Sequence, residues 1–195
     1  MRASLRKVVA LNSGDEIKRI QGLGESKRLL AAQREMYSAA KRYCLVNAIV
    51  CFAVPLCVTF IQLAFAIPPG VLIAVWLLTM AAGLLFPGLS AGLVKKAAQT
   101  QQAFDSKVFG VPFENAGIRR GDVARYADRY YARCGREGID AGLDDWYSVD
   151  LSGLEAGEAI ARCQRQNAEW TRRLSGAASA GRSLLLLFSA LCSGC

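Results

Sequence analysis

Charged and apolar positions alternate at helical spacing as far as Arg42, and then the pattern changes abruptly. From Cys44 to Val94 there is no Asp, Glu, Lys or Arg. A charge-free run of 51 residues is too long for one buried core helix. It predicts two membrane spans, each of which needs about 20 apolar residues. The first is Cys44–Ile67, 24 residues that rise about 36 Å as a helix. The second is Val71–Val94. Pro68-Pro69-Gly70 leaves so short a connection that the second helix must run back beside the first. Pro55 predicts a kink in the first span, and Pro87-Gly88 a bend late in the second.

The flanking segments read as helices too. "ESKRLLAAQREMYSAAKRYCLV" opens near Glu25–Ser26, contains strong helix formers and has neither Pro nor Gly. Leu29, Gln33, Met36, Tyr37, Ala40 and Cys44 form its stripe. Nothing interrupts it before the membrane, so it and the first span are expected to form one rod. Met1–Ser13 is expected to be a lead-in without strong pattern. Beyond Lys95 the second rod continues through "KKAAQTQQAFDSKVF" to Gly110-Val111-Pro112, where a helix cannot go on. A connector leads to a helix with Asp122 as N-cap and Val123, Tyr126, Tyr130 and Cys134 as its apolar stripe. "DDWYSVDLSGL" reads as a loop. A last helix, about Glu155–Leu174, places Ile160, Cys163, Asn167, Trp170 and Leu174 on one face.

No alternating run is long enough for a strand. The expected fold is an all-α membrane protein: a transmembrane hairpin with cytoplasmic helical extensions, a small helical cytoplasmic region and an incomplete third span. The expected division is 1–43 cytoplasmic N-terminal helix, 44–94 hairpin, 95–174 cytoplasmic helical region and 175–195 the start of the third span. That last segment, "GRSLLLLFSALCSGC" after a weakly apolar stretch, has thirteen uncharged residues beyond Arg182. They rise only about 20 Å, short of the roughly 30 Å hydrocarbon core.

Charge distribution orients the hairpin. The net charge is +8. Residues 1–43 hold ten Lys/Arg against four Asp/Glu, and Lys95-Lys96 follow the second run directly. Basic residues at both ends on one side put the N-terminus and 95–174 in the cytoplasm. The basic balance is thereby assigned to topology, and no DNA or RNA partner is expected. A cleavable signal peptide is not expected, because the first apolar run begins only after a charged segment.

Candidate chemistry is sparse. The chain has no histidine, which removes Cys/His zinc sites and Ser-His or Cys-His catalysis. Cys44, Cys51 and Cys57 read as small apolar groups inside the first span. Cys134 and Cys163 are expected to stay reduced, and Cys192-x-x-Cys195 lacks a second pair. Asp144, Asp145 and Asp150 read as a solvated turn. No catalytic, cofactor or metal residue is assigned, and an enzyme is not expected. Asn47 and Gln62 are the polar side chains of the first span, either bonding between helices or lining a pore. Gly88-x-x-x-Gly92 has the spacing of helix-association motifs, which also arises by chance in apolar segments.

Four stretches in order, "LAAQREMYSAAKR" (Leu30–Arg42), "QQAFDSKVFGVPFEN" (Gln101–Asn115), "DDWYSVD" (Asp144–Asp150) and "ARCQRQNAEWTRRL" (Ala161–Leu174), resemble the SMODS-associated four-transmembrane effectors, a family held to form pores. The resemblance runs from about Glu25 to the C-terminus. It implies a bacterial inner-membrane effector in antiphage defence, answering a cyclic-oligonucleotide messenger by disrupting the membrane in abortive infection. Two uncharged helices cannot enclose a water path alone, so such an effector is expected to be a homo-oligomer in the lipid bilayer. The alternative class is a membrane-anchored helical scaffold or signalling adaptor without a pore. The matching positions are Gln33, Arg34, Tyr37, Phe104, Asp105, Phe109, Gly110, Pro112, Trp146, Tyr147, Gln164, Asn167 and Trp170. Their chemistry suggests architecture first. Phe109, Trp146, Tyr147 and Trp170 suit fastening a loop onto helices, Asp105 an arginine partner or a cap, and Asn167 helix register. A sharper reading makes Trp146, Tyr147, Arg119 and Arg120 a nucleotide sensor. The family has four spans, and here two are complete, so the third is expected to have been cut short at Cys195.

Overall fold

The computed structural model describes residues 11–65, 67–112, 117–137 and 142–172. All regular structure among them is helical. Helix α1 (Gly14–Gln21) lies outside the expected elements, which began at Glu25. Its start is written in a capping arrangement: Ser13 Oγ accepts from the Glu16 amide, and Asp15 and Glu16 occupy the first turn. Gly22 and Leu23 then separate it from α2 (Gly24–Ala48), so 1–43 is not one helix.

The α2 helix passes through a π turn (Ile49–Ala53) into α3 (Val54–Ala64), together a rod of 41 residues. The expected kink at Pro55 takes the form of that turn. The Val54 amide reaches back to the Ile49 carbonyl, one residue further than in an α-helix. Widening the ladder just ahead of a residue with no N–H relieves the clash of its ring with the preceding turn. The second rod, α4 (Pro69–Phe109), is also 41 residues and continues through Pro87. Pro69 sits in its first turn, where a missing N–H costs nothing. Gly110 ends it at φ 71°, and the amides of Gly110 and Val111 both bond the Ser106 carbonyl.

Both rods are long and apolar enough to cross a membrane. Between their apolar parts the contacts are small or polar. Cys44 Sγ lies 3.1 Å from Ser90 Oγ, Cys51 Sγ donates to the Thr79 carbonyl at 3.6 Å, and Gly83 faces Cys51. Most of the remaining span side chains are exposed, Leu63 and Leu84 at 80%. Gln62 also lies on the exposed surface. Gly88 and Gly92 have nothing within 4 Å, so the small-residue face points away from the first rod.

The charged ends of the rods build a base with its own core. There α2 is packed between α4 and α5 (Arg120–Glu137). Its buried surface is therefore wider than one stripe: Leu30, Ala31, Ala32, Gln33, Glu35, Met36, Ala39 and Ala40 are buried, whereas Leu29 and Tyr37 are only partly so and Cys44 is exposed. On α5 the inward residues are Tyr126, Ala127, Tyr130 and Cys134. This helix starts two residues before the expected cap. Asp122 lies in its first turn and bonds Lys96 of α4 at 2.8 Å, which with Arg125 holds its carboxyl below the usual range. Glu35 is buried between Arg42 Nη2 at 2.7 Å and Arg133 Nη1 at 2.8 Å, joining α2 to α5. An irregular, turn-rich segment, 142–155, then crosses to α6 (156–172), which buries Ala159 and Cys163. The third span expected over 175–195 lies outside the described residues.

Candidate functional site at the foot of the second rod

The last turns of α4 present Phe104, Asp105, Val108 and Phe109 to the base. Helical spacing alone puts 104, 105, 108 and 109 on one side. The 142–155 segment brings Tyr147 down onto them. Its ring lies 6.2 Å from that of Phe104 and 5.6 Å from that of Phe109, and none of the residue is exposed. At the tip, Tyr147 Oη donates to Asp105 Oδ1 at 2.6 Å and accepts from Asn167 Nδ2 of α6 at 3.0 Å. One hydroxyl thus ties α4, the segment and α6 together.

The backbone of the same residue is held from α1. Its amide donates to Gln21 Oε1 at 3.0 Å, and its carbonyl accepts from Lys18 Nζ at 3.0 Å. Two ion pairs hold the preceding turn, Lys27 with Asp144 and Lys18 with Asp145 at 3.8 Å. Asp145 adopts φ 49°, a left-handed backbone that aspartate tolerates better than most residues. The two aspartates therefore anchor the segment to α1 and α2.

Trp146 is half-buried beside this cluster. It meets Phe104 edge-on at 6.4 Å, and the Arg34 guanidinium lies 5.4 Å from its ring centre. Arg34 also donates to the Gly142 carbonyl at 2.9 Å and to Tyr130 Oη at 3.3 Å. It so fastens both ends of the turn to α2 and α5. Gln33 bonds Gln101 across the two rods at 2.9 Å. Tyr37 is partly buried against the core. Gly110 ends α4 and Pro112 follows it.

The remaining positions sit differently. Gln164 is exposed and Trp170 is 59% exposed, so Trp170 fastens no loop. Asp105 finds a tyrosine instead of an arginine. Arg119 lies beside Met36, Lys96 and Thr100 at the start of α5, while Tyr147 is sealed in the core. The four residues of the sensor reading therefore share no surface. Several partners had no local signal at all. Asn12 donates to the Val108 carbonyl at 2.8 Å, and Lys18, Gln21 and Gln166 hold residues more than a dozen positions away.

Burial sets the electrostatics. It raises the Asp105 carboxyl to about 6, against which the Tyr147 hydrogen bond works only partly. Burial, then the nearby Asp105 charge, pushes the Tyr147 hydroxyl far up, and the same two causes put the Cys163 thiol at about 11. The cluster is thus a shielded carboxyl that holds a proton under mildly acidic conditions. Among the described residues no group of three or more Cys, Asp or Glu side chains is placed to hold a metal ion.

One consequence is a pH signature. Asp105 is raised above the ordinary 3.8, so its contribution to stability is complete below about pH 4 and is lost as pH rises through 6. The difference corresponds to about 2–3 kcal/mol at roughly 1.4 kcal/mol per unit. With no histidine in the chain, nothing else ordinarily titrates between pH 5 and 6.5. Thermal midpoints of the purified protein should fall across that window, and Asp105→Asn should flatten the profile. Equal slopes for the two proteins would contradict the assignment.

Residues 15–189 match the SMODS-associating 4TM effector domain. The chain belongs to that family. The match takes in both rods, the described base from Asp15 onward and most of the tail. No curated protein and no solved structure matches the chain. As a 4TM effector domain it is a membrane protein of SMODS-associated systems, and its family is one of transmembrane effectors.

Proposed function

We propose that this effector disrupts the bacterial inner membrane in antiphage defence when a cyclic oligonucleotide made by a SMODS nucleotidyltransferase reaches its base. The supporting observation is the pair of unbroken 41-residue rods that begin in the base core and end in the apolar hairpin. A rearrangement of the base has two stiff levers into the bilayer. The base, 1–43 and 95–174, lies in the cytoplasm, in keeping with the lysines and arginines at the foot of both spans. Two uncharged helices cannot enclose a water path, so subunits assemble through faces that the single chain leaves open, those of Gly88 and Gly92 included.

The test is expression of the intact protein with such a nucleotidyltransferase in bacteria carrying a membrane-potential dye. Potential should collapse only when both are present. A steady potential while the oligonucleotide accumulates would overturn the proposal and leave the membrane anchor with a scaffold role in its place.

A further inference from the structure

Beside the cluster, a groove of ≈ 580 Å³ opens between the 148–150 stretch and α6. That is within the range of small-molecule sites. Arg162, Arg165, Gln166, Glu169 and Trp170 line its helical wall at i, i+3, i+4, i+7 and i+8, one continuous face. Arg162 is spent on structure: it donates to the Asp150 carbonyl at 3.3 Å and to Glu158 at 2.9 Å. The Asp150 carboxylate is spent as well, accepting the Ser152 amide at 3.0 Å.

The others are not. Arg165 and Glu169 make no hydrogen bond or ion pair among the described residues. Gln166 donates from Nε2 to the Trp146 carbonyl at 3.1 Å, but its Oε1 is buried without a donor. A buried unmet acceptor costs free energy, and a ligand can satisfy this one only by turning the amide out toward the groove. Trp170 exposes more than half of an indole on the same wall.

A guanidinium and a carboxylate without a partner among the described residues, an open indole and an unmet amide oxygen are parts that can hold a nucleotide. Guanidinium takes phosphate in a two-pronged bond, and an indole face stacks on a base. The two acceptors suit the amino and ring N–H groups of the base edge. The charges of the wall matter too: Arg162 and Arg165 are balanced by Asp150 and Glu169. A neutral wall suits one phosphodiester charge per base and disfavours a terminal polyphosphate.

We infer that this groove is where a nucleotide unit of the trigger binds, with its phosphodiester on Arg165, its base on Trp170 and its amino edge at Gln166 and Glu169. The inference rests on the proposed function for its ligand class. It also supplies the route inward. Gln166 holds the Trp146 carbonyl, and the next residue, Tyr147, is bonded to Asp105 on the second rod. A ligand that draws Gln166 Oε1 and Trp170 together shifts the peptide that anchors the rod.

The test uses the full chain in detergent, titrated with 3′,3′-cyclic di-AMP, cyclic di-GMP, cyclic GMP–AMP and cyclic tri-AMP. At least one should quench tryptophan emission and bind by calorimetry. Trp170→Phe should remove most of the quench, and Arg165→Ala should weaken binding about tenfold or more. Arg119→Ala/Arg120→Ala, outside the groove's lining, should bind as wild type. Since Arg165 and Trp170 are surface residues, unchanged thermal midpoints will show that the variants fold. Failure of all four nucleotides to bind, or binding indifferent to Arg165→Ala and Trp170→Ala, would overturn the site. Depolarisation assays separate this from the broader reading. A wild-type chain that depolarises while binding none of them, or an Arg165→Ala chain that depolarises normally, removes the groove and leaves the effector. Binding at the groove with no depolarisation does the reverse.

Discussion

Tyr147→Ala should lower the stability of the base by about 4 kcal/mol, the usual cost of deleting a fully buried aromatic side chain. That is a third or more of what a domain of this size ordinarily has. Three losses combine. The cavity removes ring contacts with Phe104 and Phe109, Asp105 loses its donor, and Asn167 loses its acceptor. Tyr147→Phe separates them, because it keeps the ring and removes only the hydroxyl; about 2 kcal/mol is expected there. The spans make no contact with this residue, so helicity at room temperature should hardly change while the midpoint of the base falls. Amide exchange should accelerate first around 104–109 and 142–151. If the base is also the relay, both variants should blunt depolarisation in proportion to their instability. An unchanged midpoint for Tyr147→Ala would show that the cluster does not close as described.

The pattern of the sequence carried the rods well and the base less well, for physical reasons. A run without charge from Cys44 to Val94 has few other meanings. The long helices on either side follow from the absence of breakers, and Gly110-Val111-Pro112 marks the end of the second in three residues. Helix α1 escaped because it is eight residues long with only Ile17 and Ile20 as apolar anchors. Its signal is the cap at Ser13 and Glu16, not a stripe. The buried surface of α2 was read as one face because periodicity reports a single partner, whereas α4 and α5 enclose it from two sides. Asp105, Tyr147, Asn167 and Arg34 could each be singled out, yet nothing local says that they meet. The distance in sequence from Asp105 to Tyr147 is 42 residues, and only the crossing of the 142–155 segment over the foot of α4 closes it. Tyr147 and Trp170 are both large aromatics in the sequence. One is fully buried in the core and the other is exposed on α6, a difference set by packing alone.

Gly14→Ala should be the most damaging change outside the aromatic cluster, and it runs against local preference. Gly14 is the first residue of α1, in ordinary helical geometry. On a free helix alanine would be favoured there by about 1 kcal/mol. Here a Cβ would stand 1.9 Å from the Leu151 carbonyl oxygen and 2.9 Å from its carbon. Both are backbone atoms, so no rotamer change relieves the overlap. The helix and the 151–154 turn must part by at least about 1 Å, because contacts under 3 Å do not persist. That movement breaks the bond from the Gly14 amide to the Leu154 carbonyl and opens the contact that buries Ile17 and Leu151. Partial exposure of two such side chains, plus the lost bond, amounts to about 3–4 kcal/mol. The effect should also travel. Lys18 and Gln21 of the same helix hold the Tyr147 backbone, so displacing α1 loosens the residue that fastens the second rod. Gly14→Ala should therefore reproduce the exchange pattern of Tyr147→Ala around 142–151 with Tyr147 still present. Should Gly14→Ala melt at or above the wild-type midpoint, α1 is not seated on the 151–154 turn.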